Sequence, residues 1–189
     1  MMIEAIVPAG ATTGPVTLVN ADGNATTARN FVVAENRAVS TGTLASSTPV
    51  PAGIYNNFTV TSNGAAPLTD STRVVGTLTV QAGGVLLTNN KPLVGTGNFV
   101  LAVGATLGVA HADGLGNPAS PGTGAVQLTG ARSHAAGAAY RYNGTGTQIT
   151  GLGLPASAAT LTLDNAAGLA LSQDLTTTTA LALVITACA

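Results

Sequence analysis

Charge is what this chain has least of. Only 7% of its 189 residues are Asp, Glu, Lys or Arg, against about a quarter in an average soluble domain, so its surface must be neutral and hydroxyl-rich rather than ionic. The six basic residues are scattered and the net charge is -1, which leaves no basic stripe to neutralise phosphates and argues against nucleic acid as a partner. The single cysteine, Cys188, permits no internal disulfide and no C-x-x-C metal or redox pair. Aromatic residues make up 3% of the chain, with no Trp, and Tyr140-Arg141-Tyr142 is the one polar aromatic cluster. Long apolar runs are missing too. The most apolar windows, Phe99 to Ala112 and Leu181 to Ala189, are short and broken by Gly or Thr, so neither suits a membrane-spanning helix. Met1 to Glu4 shows no charged region followed by an apolar run, hence no secretory signal, and a start in mid-pattern reads as a fragment of a longer chain.

What is abundant is Gly, Thr, Ala, Asn and Ser, set in a repeat. In VGTLTVQAGGVLLTNNKPLVGTGNFVLAVGATLGVA, from Val75 to Ala110, the residues Leu78, Val80, Val85 and Leu87 are followed 21 residues later by Phe99, Leu101, Thr106 and Gly108. Strict alternation is the period of a pleated strand, and Gly83-Gly84 or Gly104 would break a helix. The first residues of the apolar-x-apolar triplets are Phe58, Leu78, Phe99, Val126, Leu161 and Leu181, separated by 20, 21, 27, 35 and 20. Three faces at about 3.3 Å per residue need roughly 20 residues per turn. The expected fold is therefore all-β, a right-handed parallel β-helix with rungs of about 20–21 residues. Its rival is an antiparallel β-sandwich, which also alternates and turns often.

In that coil the inward residues Leu78, Val80, Phe99, Leu101, Val126, Leu128, Leu161 and Leu163 form apolar ladders, while Thr79, Gln127 and Thr162 line up outside as hydroxyl and amide ladders. The longer steps have local causes. DGLGNPASPG, Asp113 to Gly122, fits an insertion on one face, and Tyr140 lies 21 before Leu161, as an extra strand or a short coil of its own.

The N-terminal part reads differently. Ile3 to Val7 and Val16 to Asn20 alternate as strands, and Ala21-Asp22-Gly23-Asn24 is a hairpin turn, because Asp-Gly supplies positive backbone dihedrals. The segment VPAGATTGPVTLVNADGNATTARNFVV resembles the last strands of an IPT/TIG domain, an immunoglobulin-like sandwich common in bacterial surface proteins. That implies residues 1–35 as an incomplete sandwich, 36–52 as a linker and 53–189 as the coil. The Gly/Thr-rich run from GTGNFVLAVGATLGVAHADGLG to GLPASAATLTLDNAAGLALS is similar to repeat regions of very large Bacteroidetes surface proteins, adhesins in which β-solenoids follow immunoglobulin-like modules. The ending LTTTTALALVITACA departs from that pattern by lacking a Gly corner, as a truncated end would.

Enzymatic chemistry finds little support. His111 and His134 stand 23 residues apart, close to one rung, but two solvated histidines make neither a triad nor a three-ligand metal site. Asp164 and Asp174 are the nearest match to the paired carboxylates of sugar cleavage, and both suit corners. Asn20, Asp22 and Asn24 open like a calcium loop, yet Phe31 stands where a bidentate Glu is required. Gly-x-Gly at Gly95, Gly122, Gly144 and Gly151 lacks the third glycine of a nucleotide fingerprint. Tyr140, Arg141 and Tyr142 are the candidate glycan contact, a stacking platform whose competing reading is strand packing.

The expectation is a non-catalytic structural or adhesive segment of a secreted bacterial protein. It lies outside the cell or on its surface, needs no cofactor, and meets glycans, cell-surface components and neighbouring domains of a longer chain. The alternatives are a carbohydrate-active enzyme on a β-helix, either a lyase or a hydrolase, and, ranked last, an ice-binding face.

Overall fold

The computed structural model describes residues 11–20, 23–27, 31–39 and 47–183. The expected strand Ile3 to Val7, the turn residues 21 and 22, and Cys188 lie outside them. β1 (Thr17–Asn20) and β2 (Gly23–Thr26) form an antiparallel hairpin with Asn20 opposite Gly23. The chain then winds through β3 (Glu35–Val39), β4 (Gly53–Val60), β5 (Ala65–Pro67), β6 (Thr72–Val80), β7 (Val85–Leu87), β8 (Leu93–Gly95), β9 (Asn98–Leu101), β10 (Thr106–Val109), β11 (Val126–Leu128), β12 (Arg132–His134), β13 (Ala139–Tyr142), β14 (Gln148–Ile149), β15 (Ser157–Leu163), β16 (Leu169–Ala170) and β17 (Thr176–Leu183). Every strand pairing from β3 onward is parallel. The described residues contain no helix. This is a β-solenoid of about seven turns, and the antiparallel sandwich is excluded as its fold.

The repeat seen in the sequence is the rung. Leu78 lies beside Phe99, Val80 beside Leu101, Val85 beside Thr106 and Leu87 beside Gly108. Phe58, Leu78, Phe99, Val60, Val80 and Leu101 are all buried within one continuous core. Corners stack as well. Gly64, Gly84, Ala105 and Ala138 each donate a backbone N–H to the carbonyl three residues earlier, at 2.8 to 3.1 Å, so four tight turns lie one above another. At another corner a column of glycines, Gly76, Gly97 and Gly130, lets successive backbones meet. A Cβ on Gly76 would stand 2.2 Å from the Asn56 carbonyl oxygen, and one on Gly130 2.5 Å from that of Gly97. Asparagines tie the rungs there, since Asn36 Oδ1 accepts the Asn57 N–H and Asn57 Oδ1 accepts that of Thr77.

Beyond Phe99 the expected ladder is corrected. Phe99 neighbours Arg132, whereas Val126 pairs with Leu93 on another face and Leu161 with Tyr140 on a third. The reason is an insertion. From β9 to β12 the register advances by 33 residues (132 minus 99) rather than 21, and so does that from β8 to β11 (126 minus 93). The extra 12 residues (33 minus 21) enter between Val109 and Val126, so the triplet at Val126 falls on the face of Leu93, while that at Leu161 continues the face of Tyr140. Thr79, Gln127 and Thr162 consequently stand on three separate faces. Thr79 instead lines up with Thr59, Val100 and Ser133.

The inward column of Phe58, Leu78 and Phe99 has polar ends. Arg37 is in register with Phe58 at one end and Arg132 with Phe99 at the other. Arg37 donates to the Pro49 carbonyl, and Arg132 to those of Val126 and Pro118. Each apolar stem continues the column while its guanidinium turns to backbone oxygen. Since Arg37 occupies an inward position, β3 shows little alternation, and the coil starts within the stretch read as a linker. Val50, from that stretch, is buried and bridges Leu68. At the far end β17 stacks on β15, with Leu181 beside Leu161, so the glycine-poor ending still forms a rung as far as Leu183.

Replacing Phe99 by Ala removes a ring packed between neighbouring rungs and should cost about 3–5 kcal/mol. Thr79→Ala, on the outer face, should cost under about 0.5 kcal/mol. Urea unfolding of the two variants checks the contrast.

Candidate functional site

Tyr140 and Tyr142 do not form a sugar platform. In β13 they occupy inward positions beside Leu107 and Val109 and are fully buried. Alternation puts both rings inside the coil and Arg141 outside. The Tyr140 hydroxyl donates to the Ala135 carbonyl at 2.9 Å and that of Tyr142 to Thr150 at 2.8 Å. Burial raises the pKa of both phenols. Arg141 donates through Nε to Asp164 Oδ2 at 3.0 Å and pairs with it again through Nη2. The cluster is therefore two core aromatics and a surface ion pair, and the glycan-contact reading of these three residues is withdrawn.

The histidines are not brought together as a site. His134 sits beside Leu101 in β12, its ring centroid 5.2 Å from that of Phe99, with Nε2 enclosed and without a hydrogen-bond partner. Desolvation, then the nearby Arg132 charge, lowers its pKa from 6.5 to about 4. His111 lies where the chain leaves the coil for the insertion, and its Nδ1 accepts the Asp113 N–H at 3.1 Å. Asp164 is engaged by Arg141, and Asp174 is exposed ahead of β17. Among the described residues no three His, Cys, Asp or Glu gather to hold a metal.

Chemistry-bearing groups converge instead around the insertion, residues 110–125. It is a firmly built loop. Leu115 is fully buried, its N–H bonds to the Thr150 carbonyl at 3.0 Å, Gly153 donates to Gly116 at 2.8 Å, and Ala125 closes the loop on Gly114 at 2.8 Å. Gly114 has a φ of 58°, and a Cβ there would meet the carbonyl oxygens of Ile149 and Thr150 at 2.2 and 2.3 Å. Only glycine allows so close an approach.

Gln148 anchors the loop's entry. Buried to 3% exposure, it donates to the Val109 and His111 carbonyls and accepts from the Gly144 N–H and Asn165 Nδ2. Both its donors and its acceptor oxygen are used, so this buried amide is fully satisfied. Nothing in the spacing of residues marks Gln148 or Asn165 beforehand, because apart from each other their partners are backbone groups up to 39 residues away.

Between the insertion and the rung carrying β14 lies a half-open concavity of about 250 Å³. Ile149 and Leu152, 44% and 50% exposed, give it aliphatic walls, and Asp113, Asn117, Thr123 and Ser172 line the remainder. No helix among the described residues is long and apolar enough to cross a membrane. No protein family, curated protein or solved structure matches the chain.

The buried histidine predicts acid sensitivity. Between pH 6.5 and about 4 the unfolded chain binds a proton that folded His134 refuses. Stability is thus full above pH 6.5 and falls by up to about 3 kcal/mol as the pH drops through that window. His134→Phe should flatten the slope in urea midpoints measured at pH 7, 6 and 5. Tyr142→Phe loses one buried hydrogen bond and should cost about 1 kcal/mol, read as a lower urea midpoint at neutral pH.

Proposed function

We propose that this chain is a non-catalytic structural and adhesive segment of a secreted bacterial cell-surface protein of the Bacteroidetes type. The N-terminal hairpin represents the last strands of an IPT/TIG-like domain, followed by a Gly/Thr-rich β-solenoid that works outside the cell beside further domains of a longer chain. Its partners are glycans or other cell-surface components.

The observation that carries this reading is the neutral, periodic outer face. The coil from 47 to 183 holds four Asp and four Lys or Arg, so its formal charge cancels. Thr59, Thr79 and Ser133 share one outward column, and Asn57, Thr77 and Asn98 form the next. Hydroxyls and amides at rung spacing suit many weak, additive contacts with an extended neutral polymer, in which avidity rather than any single site gives retention. A rigid coil also suits a spacer, because each added turn lengthens it without a new fold.

Beads coated densely with the full chain should bind immobilised neutral polysaccharides. Retention should rise steeply with coating density and barely change with salt, since ion pairs do not carry it. Failure to bind any glycan or cell surface would reduce the role to that of a spacer. Release of reducing ends or unsaturated sugars from the polysaccharides would replace this reading with an enzymatic one.

A further inference from the structure

The insertion at 110–125 is the only described break in the rung period between β4 and β17, and it raises one wall of a concavity that the regular coil does not have. We propose that this concavity is a subsite for one neutral sugar residue, a hexose ring of an exposed glycan chain. The proposal rests on the adhesive reading above and places its most specific contact.

Three features support it. First, the site is preformed: buried Leu115, the hydrogen bonds of Leu115 and Gly153 across to the neighbouring turn, and the Gln148 anchor hold the insertion against the coil. A ligand therefore need not pay to order a loop. Second, its polar groups are available. The Asp113 carboxylate accepts no hydrogen bond among the described residues. His111 Nδ1, which accepts the Asp113 N–H, stands 3.9 Å from it. Thr123 Oγ1 and Asn117 Nδ2 likewise have no hydrogen-bond partner among the described residues, and Ser172 Oγ accepts from Gly151 while keeping its own proton to donate. Third, Ile149 and Leu152 expose aliphatic surface beside these groups, without a packing role that requires it.

A carboxylate that accepts two vicinal hydroxyls, an amide and hydroxyls at the rim, and an aliphatic wall for the C–H face of a ring together match a pyranose. The carboxylate repels uronates, sialic acids and phosphates. A single acidic group is too few for a metal. About 250 Å³ is below the usual range for enclosed small-molecule pockets, so one ring enters while the rest of the chain stays in solvent. Lacking an aromatic platform, the subsite binds weakly, and multivalency does the rest.

The test uses the ¹⁵N-labelled full chain titrated to tens of millimolar with maltose, cellobiose, lactose and mannobiose, followed by amide shifts. At least one disaccharide should shift the amides of Asp113, Gly116, Asn117, Ile149, Leu152 and Ser172. Asp113→Asn should weaken that binding about fivefold or more, and Leu152→Glu should abolish it. Both positions are solvent-exposed, and a retained dispersed spectrum confirms folding; if one variant is unfolded, the other decides. No shift with any of the four sugars, shifts elsewhere on the coil, or shifts indifferent to the substitutions would overturn the subsite. The bead assay separates the two claims. Adhesion kept by both variants removes the subsite and leaves the adhesive reading, whereas local shifts without adhesion keep the subsite and remove that reading.

Discussion

A turn of about twenty residues cannot bury its own inward side chains. It has an interior only because another turn lies above and below it, and that interior is continuous only if the strands run parallel and in register. Leu78 beneath Phe99 and Val80 beneath Leu101 are the local form of this constraint, and the rest follows from it. A shift of one residue would turn Leu78 and Val80 out to water and Thr79 into the core. The stacked turns, the glycine column at Gly76, Gly97 and Gly130, and the asparagine ties at Asn36 and Asn57 all keep that shift from happening. They fix where each strand begins, and the apolar columns then hold the rungs together.

The low charge has its explanation here too. In a stacked coil an outward residue repeats at rung spacing, about 4.8 Å from its neighbours above and below, so a charge at a repeated position would stack like upon like. Hydroxyls at Thr59, Thr79 and Ser133 and amides at Asn57 and Asn98 avoid that repulsion. At Arg141, a charge on the outer face, the next turn supplies Asp164. Among the described residues arginine stands inward only where the Phe58–Leu78–Phe99 column stops.

The strand period, the rung length near 21 and the pairing of the first complete turns were legible because alternation and glycine spacing are local signals. Register beyond Phe99 was not. A 12-residue insertion changes which triplet meets which face, and the triplets at Val126 and Leu161 look alike on any face. β3 was hidden because Arg37 occupies an inward place. Tyr140 and Tyr142 were open to two readings, since alternation says that they share a side without saying which; burial placed them inside. The insertion itself was visible as a loop, but its rigidity depends on Gln148 and on backbone partners distant in sequence. For that reason the concavity beside Ile149 and Leu152 could not be read beforehand.

Cross-linking across one rung tests the account most directly. In a Cys188→Ser background, cysteines at 79 and 100 should form a disulfide readily under mild oxidation, because adjacent parallel strands bring the two Cα atoms within about 4.4–6.8 Å. Cysteines at 100 and 127, which would be neighbours if the triplets formed a single ladder, should stay reduced, because Val100 lies beside Ser133 and Gln127 beside Val94. Failure to cross-link at 79 and 100, or ready cross-linking at 100 and 127, would contradict the register on which the core, the neutral outer face and the insertion's concavity all depend.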